Sequence, residues 1–364
     1  SGFLAMCAAN LPDPVETIDP AKGGSPQDYF NTVLYNGDDQ TQAITGVGFQ
    51  PDWVWIKSRN HAYNHNTFDS VRGVNKVLLA NTTQAEDASA GAGDLNSFDT
   101  DGFTVRQTSN YELSDAGKTY ASWNWKAGTA FSNDASATGV GSIDSSGSVS
   151  ADTGFSIITY TGTGSNATVA HGLSVAPRFY FVKYINAGGD WKTYSEDVGN
   201  TYQFFLNGTE AAQNTGAAIW NNTSPTTSVF SIGTNGGVNT SGGNYIAYLF
   251  HSVDGFSKFG KYNGNNNADG TFVYTGFRPA YLLIKNITSA GNSWHIADNK
   301  RTPDNVLDDF IYAQSAAVED TGSGTKIDLL SNGFKLRGTS QNAANQVLIY
   351  LAFAEQPFKY SNAR

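Results

Sequence analysis

Cysteine is almost absent from this 364-residue chain: Cys7 stands alone, which excludes internal disulfides and leaves every core to hold by packing. Histidine is scarce too, at five residues. Only His61 and His65 lie close together, in an Asn-rich turn stretch that reads as a solvated loop rather than a metal pair. Charged residues make up 15% and the net charge is −10. The Lys and Arg residues are scattered, which argues against a nucleic-acid partner. No apolar run reaches membrane-spanning length, and the longest, Val347–Ala354, is strand-sized. Walker loops, dinucleotide fingerprints and a nucleophile elbow in strand-to-helix context are all missing. Neither a catalytic centre nor a cofactor is therefore expected, and membrane insertion is not expected either.

What the chain does have is 13% aromatics and 39 glycines. Short apolar runs bounded by Gly, Asn, Asp and Ser recur, with no long 3.6-residue periodicity. That pattern predicts an all-β protein. The same pattern repeats three times. Pro51, Pro177 and Pro279 are each followed six residues later by a lysine (Lys57, Lys183, Lys285), with four apolar residues just before it. Upstream, Gly37, Gly162 and Gly264 precede the prolines by 14, 15 and 15 residues. Downstream, Phe103, Phe230 and Phe334 follow them by 52, 53 and 55, and the closing aromatics Trp125, Phe250 and Phe353 by 74, 73 and 74. The expected organisation is an extended N-terminal arm (1–30), repeats at 31–125, 155–250 and 259–353, a short linker at 251–258 and a tail at 354–364. Residues 126–154, of which 17 of 29 are Gly, Ser or Ala, read as a flexible or loosely docked connector.

Each repeat is long enough for one β-sandwich, with a jelly-roll-like topology preferred. The strand between proline and lysine is apolar on both faces: Trp53 and Trp55 oppose Val54 and Ile56. It should be covered on one side by its own sandwich and on the other by a neighbouring domain or chain. The lysine at its end is expected to lay its stem on the sheet and keep its ammonium in water.

Features that differ between copies are the better guide to function. Copy one carries Asp69 and Arg72, Glu86 and Arg106. Copy three carries Asp298 and Arg301, Glu319 and Arg337 in corresponding order, whereas copy two has Ser195, Glu210 and Gly233 in those regions. Two readings stand: an ion-pair network at a domain surface or between copies, or a polar pocket for a ligand such as a sugar acid. Trp220, in a loop peculiar to copy two, is the candidate sugar platform. Trp191 and Trp294 occupy matched positions and read as core or inter-domain packing. Asp99–Gly102 and Asn265–Gly270 are oxygen-rich enough to suggest calcium, but lack a bidentate Glu and read equally as turns.

Several stretches carry a resemblance: Ala9–Pro14, Tyr29–Tyr35, Asp99–Phe103 with Trp123–Gly128, Phe250–Gly260 and Ser331–Arg337. They resemble a domain family of unknown function that occurs in virion and tail proteins of bacteriophages. The resemblance implies a component of the particle surface, a larger fibre or tail protein of which this chain is the C-terminal part, and partners that are other virion proteins or copies of itself. It supplies no catalytic or binding residues. The expectation is therefore a structural and adhesive module, plausibly trimeric, that contributes to host attachment. A host-glycan recognition module and a polysaccharide-degrading tail enzyme are the alternatives.

Overall fold

The computed structural model describes residues 11, 13–88, 95–107, 111–322 and 324–361. Cys7 and most of the Ala9–Pro12 motif lie outside them. The chain is all-β. Copy one contains β1 (Phe30–Asn36), β2 (Gln42–Thr45), β3 (Trp53–Ser58), β4 (Asn66–Asp69), β5 (Leu78–Leu79), β6 (Leu95–Asp99), β7 (Gly102–Val105) and β8 (Thr119–Trp125). They form a five-stranded sheet, β1-β8-β3-β4-β5, covered on its outer face by a three-stranded sheet, β2-β7-β6. Between the layers lie Val54, Ile56, Phe68, Phe103, Val105 and Tyr120.

The connector is not a loose tether. It builds β9 (Thr129–Asn133) and β10 (Ser145–Ser150), which pair with each other and then with the first strand of copy two. Its small residues permit close strand approach, and the few large ones (Phe131, Ile143, Val149) pack against the core of copy two.

Copy two follows with β11 (Phe155–Thr161), β12 (Ala167–Ala170), β13 (Phe179–Tyr184), β14 (Lys192–Ser195), β15 (Tyr202–Phe205), β16 (Gln213–Asn214), β17 (Val229–Ile232) and β18 (Asn244–Phe250). The hairpin enlarges its main sheet to eight strands, β16-β15-β14-β13-β18-β11-β10-β9, with β12-β17 opposite. Copy three comprises β19 (Ser257–Asn263), β20 (Phe272–Tyr274), β21 (Phe277–Asn286), β22 (Trp294–Asp298), β23 (Ile311–Tyr312), β24 (Ile327–Leu330), β25 (Gly333–Leu336) and β26 (Val347–Pro357). Its sheets are β19-β26-β21-β22-β23 and β20-β25-β24.

Register explains the constant spacings. The closing aromatic of each copy is the cross-strand partner of the residue two after the proline: Trp125 of Trp53, Phe250 of Phe179, Phe353 of Tyr281. Pro279 falls inside β21, at a register shift where a missing N–H breaks no ladder bond.

The inner faces of the three main sheets meet in one central core, so the copies form a closed cluster. Trp53 stacks on Tyr248 at 4.5 Å, Trp125 meets Tyr281 and Phe353 at 5.8 Å, and Phe179 reaches Trp294 at 6.5 Å. This is the second cover that the double-faced strand demanded, and the chain supplies it itself. One backbone bond recurs at all three junctions: Glu86, Ala212 and Glu319 N–H donate to the carbonyls of Ile185, Ile287 and Arg59 of the next copy.

A second recurring bond uses the residue at the entry to the fourth strand. Trp191 donates its indole N–H to Leu79 O at 3.0 Å, Trp294 donates to Phe205 O at 2.8 Å, and His65 places Nε2 3.1 Å from Ser315 O. Trp191→Phe should cost about 1–2 kcal/mol, because Leu79 O then keeps only the longer 3.3 Å bond from Thr82 N–H in a buried site. A shifted urea midpoint at unchanged slope would show it, and a change near zero would mean the carbonyl finds another partner.

The arm at residues 13–30 is compact, not extended. Of three single 3-10 turns (Glu16–Ile18, Pro20–Lys22, Pro26–Asp28), the second and third begin where Asp19 and Ser25 accept backbone N–H groups and proline gives up none that was needed. Ile18 enters the central core, and Tyr360 O–H donates to Asp19 at 2.8 Å, tying the two ends of the chain together.

The strand-end lysines also depart from expectation. Lys57, Lys183 and Lys285 are fully buried. Each ammonium is capped by main-chain carbonyls of the following loop: Ser58 and His61, Gly189, and Asn292 respectively. Side chains of this parity face the junction rather than solvent, and burial pulls each lysine down to about 8.

Candidate functional site

The acidic and basic residues singled out in the sequence fall into separate places. Asp69 ends β4, and the following turn brings Arg72 back onto it. Arg72 Nε lies 2.6 Å from Asp69 Oδ2, and its Nη1 reaches Glu86 at 2.9 Å. Copy three repeats this with Asp298 (2.6 Å from Arg301 Nε) and Glu319 (2.6 Å from Nη1). Asp69, Arg72, Asp298 and Arg301 are all buried. Each aspartate accepts one further bond from the next copy: Tyr248 O–H to Asp69 at 2.7 Å, and Trp123 Nε1–H to Asp298 at 3.0 Å. Asp and Glu beside them raise Arg72 and Arg301 further above their already high range, against the pull of burial.

These sets are locks between copies, and the third junction shows it. At the equivalent positions of copy two stand Ser195, Val198 and Ala212, and the donor position of copy three is Leu351. Acid, base, second acid and donor are all replaced together by small or apolar residues. A buried ion pair survives only complete, and an apolar replacement of the whole set is tolerated. Ala212, not Glu210, occupies the Glu86 position.

Trp220 is not a sugar platform. It is fully buried in copy two, donates to Tyr202 O at 2.8 Å, and packs edge-on to Tyr180 and Tyr194. All seven tryptophans are buried. Arg106 is half-buried at the end of β7, with Nε lacking a hydrogen-bond partner. The oxygen-rich loops are turns: Asp101 accepts from Gly46 and Gly48 N–H, and Asn265 and Asn267 accept from Asn267 and Asp269 N–H. Among the described residues no three His, Cys, Asp or Glu side chains gather as a metal site.

A cleft of about 600 Å³ lies between copies one and two beside the β9-β10 hairpin. Its carboxylates are engaged in structure. Glu86 holds Arg72, Asp144 accepts Ala135 N–H, and Asp134 caps the turn Ala135–Thr138. Hydrogen bonds from Ser136 and Ala137 hold Asp134 below the usual carboxylate range, the opposite of what a general acid requires.

The outer face of copy three is different in kind. Phe272 and Tyr274 flank the inward-facing Val273 on β20, an edge strand, and are 44% and 56% exposed. Among the described residues they are the only exposed aromatic rings. Copies one and two have Ala43 and Thr45, and Thr168 and Ala170, at the same register positions. Lys335, cross-strand from Phe272, pairs with Asp269 at 2.5 Å. Arg337, one of the sequence candidates, joins the same face, held by Asp328 at 2.5 Å and Asp269 at 3.6 Å. Beside Tyr274 opens a cleft of about 260 Å³ lined by Asp13, Pro14, Asp254, Lys258 and Lys359. Sequence reasoning looked for lone tryptophans and passed over this pair. The alternation Phe-Val-Tyr, present in one copy only, was the available signal.

A family model described as a domain of unknown function, DUF7483, matches residues 25–357. The chain belongs to the DUF7483 family. Neither a curated protein nor a solved structure matches it. The DUF7483 match spans all three copies, so the unit the family describes is the closed cluster, not the single repeat.

Proposed function

We propose that this DUF7483 chain is a structural and adhesive module of a phage tail or fibre, displayed at the particle surface, with no catalytic role. The observation that carries the reading is how the polar and aromatic residues are used. The buried Asp-Arg sets and six of the seven tryptophans serve to lock three copies into one body, leaving an outer surface on which loops differ from copy to copy. Rigid scaffolds with variable outer loops suit recognition. The phage setting comes from the sequence resemblance alone.

Each copy is read as a relative of the jelly roll. The order 1-8-3 opposite 2-7 supports this, while the fourth and fifth strands continue the large sheet instead of crossing over. The double-faced apolar strand no longer argues for a trimer, because the chain's own copies cover it. A single chain presenting three related domains fills that geometric role, with other virion proteins as its neighbours.

The test is adsorption. The purified chain should bind intact cells of a susceptible host saturably and compete with whole particles for attachment. Binding to no host cells, with no competition, would remove the adhesive reading. Sedimentation of the isolated chain as a monomer is expected.

A further inference from the structure

We infer that the outer face of copy three, centred on Phe272 and Tyr274, is a binding site for a neutral polysaccharide. This rests on the adhesive reading above and names its ligand class. The first argument is singularity. The chain has 47 Phe, Trp and Tyr residues, and among the described ones only these two stand exposed, two positions apart on one face of one strand. Chance exposure would scatter them. Side chains at i and i+2 of a strand project side by side, roughly 7 Å apart, so the two rings face successive parts of one extended ligand.

The second argument is what surrounds them. Gly333 lies opposite Tyr274, and the Phe272 ring edge sits 3.1 Å from where a Cβ on Gly333 would stand. Tyr274 lies similarly over Gly276, at 3.7 Å. The glycines give the rings backbone to rest on, so their outer faces stay open. A sugar ring presents one face of C–H groups, which sheds water against an aromatic ring, and a rim of hydroxyls that need fixed donors and acceptors. Lys335, Asp269, Arg337 and Asp328 provide both, already oriented by pairing with one another. The cleft at Tyr274 adds Asp254, Lys258 and Lys359 on its walls.

Charge selects among ligands. Lys335 and Arg337 pair with carboxylates, as does Lys359 in the cleft, Asp269 is 76% exposed, and the chain as a whole carries −10. An acidic polysaccharide or a nucleic acid finds no unmatched cation cluster here. A stable protein interface needs on the order of 1,200 Å² or more of buried surface around an apolar centre. Two isolated rings on a three-residue edge strand fall well short of that. A neutral glycan, bound through ring stacking and hydroxyl contacts, fits what is present.

Affinity electrophoresis of the full chain through gels containing soluble β-glucan, mannan or galactomannan, with alginate as the acidic contrast, tests the site. The wild type should be retarded by at least one neutral polymer and not by alginate. The double variant F272S/Y274S, at exposed positions, should melt as the wild type does and lose on the order of tenfold or more in affinity. Trp220→Phe, in the core, should leave retardation unchanged if the variant folds. Retardation of the double variant equal to wild type would overturn this site while leaving adhesion standing. Retardation by alginate alone, or by none of the polymers while the chain still adsorbs to cells, would overturn the ligand class. Loss of self-association in the double variant, with no glycan binding in the wild type, would assign the face to a protein contact instead.

Discussion

Asp298→Ala is expected to destabilise the folded chain by about 3–5 kcal/mol, the range for removing one partner of a buried ion pair. Asp298 receives Arg301 Nε, the backbone N–H of Lys300 and Arg301, and the indole N–H of Trp123 from another copy. Alanine leaves a guanidinium that sits 5.8 Å over the Trp123 ring, with no exposed face, to Glu319 as its one carboxylate and leaves its Nε–H and the Trp123 indole N–H without that acceptor. The informative comparison is the third junction. Converting the whole set in copy three to the residues of copy two, Asp298→Ser with Arg301→Val and Glu319→Ala, plus Trp123→Leu to match Leu351, should recover a large part of the loss. It removes every member that would be left unpaired, except that Arg59 loses its 2.9 Å partner Glu319 at a partly exposed site. The reverse single change, Ser195→Asp, should destabilise copy two, because neither Val198 nor Leu351 offers a donor. Urea unfolding of the variants measures this. Equal stability of Asp298→Ala and wild type would mean that the lock contributes nothing, and failure of the fourfold change to improve on the single one would reject the exchange.

The extent to which this was legible in the sequence follows from which terms are local. The three copies were visible because the proline, the closing aromatic and the central Phe are fixed by cross-strand register, and register is a matter of spacing. The apolar second face of β3 announced that something must cover it. Which surface would do so was not written locally, and the cluster of the chain's own copies is a tertiary outcome. Lys57 misled for the same reason: the stem-on-sheet, head-in-water reading holds when the strand ends at solvent, whereas here it ends at a junction whose loop carbonyls cap the ammonium. Trp220 looked exposed amid Asn, Thr and Ser, yet its indole faces inward onto Tyr180. The connector seemed too rich in small residues to be ordered, but three large residues among them sufficed to dock a hairpin. Phe272 and Tyr274 were legible and unread, since alternation within a strand was taken as fold.

Lowering the pH from 6.5 to 5 is expected to remove about 5 kcal/mol of stability through three buried histidines, about 1.6 kcal/mol each. In His65 and His171 one ring nitrogen accepts a hydrogen bond, which only the neutral ring can do, and His295 is held neutral by its burial. His65 Nδ1 accepts from Trp55 Nε1 at 2.9 Å, and His171 Nδ1 accepts from Leu173 N–H at 3.1 Å. His295 lies against Phe310 and Tyr312 with Nδ1 on Ser293 O. Burial pulls His171 and His295 down to about 4, and holds His65 well below the usual imidazole range, with Lys57 and Arg301 adding to the effect there against the carbonyls of Ser315 and Tyr312. The sign follows directly. Above the unfolded value near 6.5 neither state binds these protons, so stability is flat. Below it the unfolded chain takes them up and the folded chain does not, so stability falls until the folded values are reached. The window from 6.5 to 5 lies above ordinary carboxylate titration, which separates this effect from loss of the ion pairs. Copies two and three suggest the control. At the His65 position they carry Trp191 and Trp294, and on the neighbouring strand Phe181 and Leu283 stand where copy one has Trp55. His65→Trp alone should overpack, costing about 1–3 kcal/mol. With Trp55→Phe it conserves volume and removes one of the three protonation sites. The double variant should lose about a third less stability over the same pH interval, read from urea midpoints at pH 6.5 and 5. An unchanged pH slope would show that His65 is not among the groups responsible.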